Sequence, residues 1–212
     1  MPPAWRAVDS ATRPKPASAP TGRRPSVRTG ISAVSSPETV SRVHSMARGR
    51  AAANALQSGM TTSIQDEFYA QGICFGCGPR NERGLRIKSR VLGDEVVADW
   101  TPEEHHQAWP GMLNGGITGA LLDCHSNWTA AWHLMQRDGL DRPPCTVTAE
   151  FHVKLRRPTP VDGPVRLRAR VAEASGPRVT IDATLEAAGQ VTATCRGVFV
   201  AVEEGHPAFH RW

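Results

Sequence analysis

Asn114-Gly115-Gly116-Ile117-Thr118-Gly119-Ala120-Leu121-Leu122-Asp123-Cys124 opens a stretch that reads as one long helix ending near residue 136. Ile117, Ala120, Leu121, Cys124, Trp128, Ala131 and Met135 recur at intervals of three and four, which lines up one apolar stripe. Asp138-Gly139 supplies the stop. On either side the apolar period falls to two. Residues 85–91 and 95–100 alternate across Gly93-Asp94 and read as a hairpin before the helix. After it, Val147, Ala149, Phe151, Val153 and Leu155 are expected on one face of a strand over 146–156. Further strands are expected over 165–171, 179–185 and 191–202, with turn residues at 158–163, 175–177 and 188–189. Short reversals force antiparallel neighbours, so the fold class is α+β, a curved antiparallel sheet of about six strands wrapping one helix.

The chain has 212 residues, 25 Lys+Arg and 20 Asp+Glu. That length suits one ordinary domain and a tail. Nine basic and two acidic residues precede Met60, a balance of +7, and the remaining 16 basic and 18 acidic residues give −2. The basic pI therefore belongs to the first 59 residues and gives no warrant for nucleic-acid binding by the folded part. Residues 1–59, rich in Pro, Ser, Ala and Arg, show neither period and read as a disordered basic tail or a mis-called N-terminal extension, with Met46 or Met60 as the true start. An organelle transit peptide is the rival reading, and the prolines oppose its amphipathic helix. The folded domain is expected over 60–212. No run approaches the roughly 18 consecutive apolar residues of a membrane span. Five cysteines, odd in number and scattered, fit reduced thiols in a cytoplasmic setting better than a disulfide framework.

Two separated motifs carry a resemblance. The stretch 114–123 preceded by Trp109-Pro110-Gly111, and Cys74-Phe75-Gly76-Cys77-Gly78-Pro79 with Asn81 and Gly84-Leu85, resemble the signatures of hotdog-fold acyl-CoA thioesterases of the PaaI-like group. In that family a His-Gly-Gly opens the central helix and an acidic residue follows the second glycine by seven, the spacing from Gly116 to Asp123. The resemblance implies the hotdog fold over about residues 68–202, hydrolysis of an acyl-CoA to free acid and coenzyme A without metal or other cofactor, and active sites between subunits of a homodimer or homotetramer. Asn114 stands where the family most often has His. It keeps a side-chain donor but does not titrate, which speaks against proton acceptance at that position.

The chemistry agrees with these residues. Gly115 and Gly116 begin a helix, where backbone N–H groups lack intrahelical partners and sit at the positive dipole end, a setting for an oxyanion. Seven steps of about 100° return Asp123 to nearly the same side of the helix, roughly 10 Å further on. Carried over from the family, Asp123 deprotonates water or attacks the carbonyl itself; sequence does not separate the two. Asn127, one turn later, is a candidate to hold the water. His106 is a candidate substrate residue or a surface partner of Glu103 and Glu104. Arg156 and Arg157, beside Lys154, are candidates for the phosphates of the nucleotide or a solvated edge. Cys74 and Cys77 have zinc-like spacing, but no second pair follows and only His105 and His106 lie near in sequence, so a turn with two buried thiols is expected. Two rival functions remain: a sensing protein that binds acyl-CoA without turnover, and a hydratase of the same fold, whose usual Asp and His pair on the helix is not matched. Trp109, Trp128 and Trp132 read equally as an aryl-accepting tunnel or as core.

Overall fold

The computed structural model describes residues 62–209, so the expected tail at 1–59 lies outside the described residues. In chain order these form a short helix α1 (Ile64–Phe68), strands β1 (Arg90–Leu92) and β2 (Glu95–Trp100), and a 3₁₀ turn at Glu104–His106. Strands β3 (Gln107–Trp109) and β4 (Met112–Leu113) come next, followed by helix α2 (Gly115–Asp138). Strands β5 (Thr146–Leu155), β6 (Val165–Ser175), β7 (Arg178–Ala187) and β8 (Gln190–Ala201) complete the set. The large sheet has the order β1-β2-β6-β7-β8-β5, with every neighbouring pair antiparallel. This is the hotdog arrangement expected of the sequence: six strands around one long helix.

Helix α2 ends where the Asp138-Gly139 signal places the stop, with Gly139 in the left-handed region at φ 64°. Its Leu121, Leu122, Trp128 and Leu134 share the core with Leu167 and Ala169 of β6, Ile181 and Leu185 of β7, and Ala193 and Phe199 of β8. Full burial of each large side chain is worth about 1.5–3 kcal/mol, so this layer holds the helix on the sheet. The opposite sheet face is polar and paired, with Arg166 on Asp99 and Arg196 on Asp182 across adjacent strands.

Two expected elements differ. Residues 85–89 alternate in burial but are not strand: Arg86 has φ 48°, and the backbone N–H groups of Leu85 and Ile87 bond the carbonyls of Phe75 and Gly76. Only the last residues of that run pair with β2, because the earlier ones tie down the cysteine loop. In β5 the expected face is wrong for its first half. A register shift between Thr148 and Glu150 inserts one residue, so Thr146 and Thr148 point to the helix in place of Val147 and Ala149, and Phe151 and Val153 follow on that same side. A single bulge reverses the parity of everything before it. That reversal is what supplies hydroxyls to the helix at the candidate site.

Candidate active site

Asn114 caps α2. Its Oδ1 accepts from Gly116 N–H at 2.8 Å and from Ile117 N–H at 3.3 Å, while its own N–H donates to the His106 carbonyl at 2.9 Å. The expectation of two open amides is therefore corrected: Gly116 N–H is engaged by the cap, and Gly115 N–H is the one with no acceptor among the described residues. Asn114 serves the helix by accepting, through its carbonyl oxygen, and its exposed NH₂ remains a donor. A Cβ placed on Gly115 would lie 3.1 Å from Leu155 Cδ1, so the end of β5 closes over the first turn of the helix. Asn114→Ala is expected to cost about 1 kcal/mol of stability through loss of the cap, and Asn114→Asp to retain most of it, as read by urea unfolding.

Two turns below Gly116, Asp123 is half-buried and accepts from Thr148 Oγ1 at 2.8 Å. Burial pushes its carboxyl above the usual aspartate range, and the Thr148 hydrogen bond opposes part of that rise. A carboxylate in this state is a stronger base than an exposed one. Asn127, one turn further, accepts from Thr146 Oγ1 at 2.6 Å. Its amide is committed to the start of β5, which makes it an anchor for the strand that carries Thr148.

His106 is buried rather than a surface partner. Its ring packs on Trp100 with centroids 4.9 Å apart, and its Nδ1 accepts from Glu103 N–H at 2.9 Å. Burial, and then the neighbouring His105, hold its pKa below the usual value, so it is neutral at neutral pH with the proton on Nε2. The Glu103 carboxylate faces His105 instead, at 3.8 Å. Through its carbonyl, His106 positions Asn114. Arg156 and Arg157 are exposed at the far end of β5, where they donate to Thr194 Oγ1 at 3.3 Å and Gln190 Oε1 at 2.8 Å. Arg156 also borders a concavity of about 740 Å³ on the polar sheet face, with Lys154, Arg168, Arg170 and Arg196. Trp128 is core, 1% exposed, while Trp109 is 58% exposed.

Residues 110–200 match the thioesterase superfamily. That match covers less than half of the chain, from the β3–β4 turn into β8. A thioesterase superfamily protein aligns with a TM-score of 0.52 at 22% identity, covering 78% of this chain and 81% of its own. A thioesterase from Haemophilus influenzae aligns with a TM-score of 0.50 at 17% identity over 57% and 84%. A thioesterase superfamily protein from Shewanella loihica is 28% identical over 55% and 91%, with a TM-score of 0.47. The first two show the fold. Among curated proteins none matches. The stretch that matches includes Asn114, Gly115, Gly116, Asp123, Asn127, Arg156 and Arg157, and begins after His106 and the cysteine loop.

One cluster outside the expected set stands beside the candidate site. Cys124, next to Asp123 on α2, meets Cys74 and Cys77, and the three sulfurs lie within 4.8 Å of one another. Hydrogen bonds from Cys124 and then Cys77 draw the Cys74 thiol down to about 2. Cys124 pulls Cys77 down in turn, but Cys74 and burial outweigh it and push Cys77 up to about 12. Cys74, foremost among its neighbours, holds Cys124 well above the ordinary thiol range. Sequence spacing exposed the first two members but not Cys124, which is 50 residues from Cys74.

Proposed function

We propose that the protein hydrolyses an acyl-CoA thioester to a free carboxylic acid and coenzyme A, with Asp123 as base or nucleophile. The observation that carries this reading is a half-buried, hydroxyl-supported carboxylate two turns below an open helix N-terminus, inside a thioesterase-superfamily stretch. The thioester carbonyl oxygen would receive the Gly115 N–H at the positive end of α2, with the Asn114 NH₂ as a second donor. Asp123 lies roughly 10 Å along α2 from this end, so in this reading the carboxylate that meets the carbonyl comes from a second copy across the subunit interface. It takes the proton of the attacking water, or attacks the carbonyl to form an anhydride that water opens, and either attack expels the coenzyme A thiol. Asn127 and Thr148 position the strand and the carboxylate, and His106 positions the cap. Arg156 and Arg157 are the cations for the phosphates of coenzyme A.

The working unit in this reading is a homodimer or a dimer of dimers. Among the described residues β5 pairs on one side only, with β8, and leaves Phe151 and Leu155 43% and 59% exposed, Leu155 lying beside Gly115 at the helix N-terminus. A second copy seated on that edge covers both and completes the walls of the acyl channel. All five cysteines are free, which fits a reducing cytoplasm, and no helix among the described residues is long and apolar enough to cross a membrane. The test is thiol release by the full chain from short, long and aromatic acyl-CoAs. Saturable release from at least one class is expected; none from any class returns the chain to binding without turnover.

A further inference from the structure

We propose that Cys74, Cys77 and Cys124 form a three-thiolate site for a soft divalent ion of the zinc type, clasping the cysteine loop to the helix that bears Asp123. The geometry is that of a prepared site. A tetrahedral ion about 2.3 Å from each sulfur separates them by roughly 3.8 Å. Cys74 and Cys124 stand at 3.8 Å, and Cys77 lies within 4.8 Å of both, so small side-chain movements close the triangle.

The backbone around the sulfurs is fixed independently. The Gly78 N–H donates to the Cys74 carbonyl at 2.8 Å, closing the Cys-x-x-Cys turn, and a Cβ on Gly78 would fall 2.4 Å from Cys74 N. A Cβ on Gly76 would fall 2.4 Å from the Cys124 sulfur, so only glycine lets the loop lie this close to the helix. Leu85 and Ile87 N–H groups then hold the carbonyls of Phe75 and Gly76 from the other side. Three sulfurs from two elements 50 residues apart converge without a disulfide among them.

Soft sulfur ligands select zinc over magnesium or calcium. Because metal ligands of this kind bind as thiolates, uptake of the ion releases thiol protons to solvent. No fourth Cys, His, Asp or Glu joins the group among the described residues, which leaves one tetrahedral position for water or another ligand from outside.

The test uses the full chain, reduced, freed of metal by a chelator and titrated with zinc or cobalt(II) alone. The expected result is one ion per chain, a rise in melting temperature with added zinc, and the thiolate-to-cobalt charge-transfer absorption of a sulfur-rich tetrahedral site. Cys74→Ser, Cys77→Ser and Cys124→Ser should each weaken binding by about 100-fold or more, at least the loss produced by removing an outer partner of a metal ligand. Cys145→Ser should bind as the parent does. Circular dichroism reports whether each variant folds, and the stoichiometry of the parent stands whether or not they do. A folded, reduced parent that takes up no ion, or uptake that survives in folded Cys124→Ser, overturns the proposal. So does cobalt bound without sulfur charge transfer.

Discussion

Asp123→Asn is expected to fold, to melt no lower than the parent at neutral pH, and to lose thioester hydrolysis by about 10²-fold or more. The two halves of this expectation have one cause. Burial raises the carboxyl pKa above its unfolded value, so the fold favours the protonated acid and bears a cost for the ionised form at neutral pH. The stability contributed by this group is present below the unfolded aspartate pKa and disappears as pH rises through the folded one. Asparagine is neutral, nearly the same shape, and still offers an oxygen to Thr148 Oγ1, so it removes the cost while removing the base. Melting temperature and kcat/KM are measured on the same preparation. A variant that melts several degrees lower would show that the carboxylate is a structural anchor; a variant that turns over normally would remove Asp123 from the chemistry.

The second large effect concerns acid stability and rests on His125, two residues after Asp123 on α2. His125 is fully buried between Ser89 and the β2 backbone. Its Nε2–H donates to the Val96 carbonyl at 3.0 Å, and its Nδ1 therefore accepts from the Ser89 hydroxyl at 2.9 Å. Gln65 Nε2 donates to that same hydroxyl at 3.0 Å, and Ser89 N–H donates to Gln65 Oε1 at 2.8 Å, so every group in the chain is satisfied by a neutral imidazole. Burial pulls the His125 pKa down to about 4 from 6.5, with the Val96 carbonyl opposing.

Between about pH 6.5 and 4 the unfolded chain binds a proton at this position and the folded chain does not. Stability should therefore fall by about 3 kcal/mol as pH drops through that window, and level off below it. Urea unfolding at pH 7 and pH 4 measures this directly. Asp123 acts in the opposite sense over its own titration, so Asp123→Asn should make the loss at low pH steeper. His125→Asn should be less stable at pH 7, through the lost packing, and should flatten the pH dependence. Unchanged pH dependence in that variant would assign the effect to other groups.

Much of this was legible from apolar periodicity. The stripe from Ile117 to Met135, the Asn114 and Gly139 boundaries and the four later strands are local patterns, and local patterns survive into the fold. What was hidden depends on contacts distant in sequence or on backbone events without a residue signature. The bulge between Thr148 and Glu150 contains no glycine, yet it decides that hydroxyls rather than Val147 and Ala149 meet the helix. Arg86 adopts a left-handed conformation because the loop carbonyls at Phe75 and Gly76 capture its neighbours, which breaks an otherwise convincing strand. His106 reads as a charged loop residue until Trp100 is seen stacked on it. Cys124 reads as part of an apolar stripe until the loop brings Cys74 and Cys77 to it. The spacing of Gly116 and Asp123 identified the pair, but not that Asn114 spends its carbonyl on the Gly116 amide.

The pH dependence of kcat/KM for acyl-CoA hydrolysis, compared between the parent and Thr148→Val, tests the central claim most directly. The acid limb reports the free enzyme's essential base. If that base or nucleophile is Asp123, the parent's limb has a midpoint above the roughly 3.9 of an ordinary aspartate. Loss of the Thr148 hydrogen bond, which holds the carboxyl pKa down, then moves the midpoint to still higher pH. An acid limb at the same pH in both proteins, or a rate that does not fall with acid at all, would contradict Asp123 as the group that drives hydrolysis.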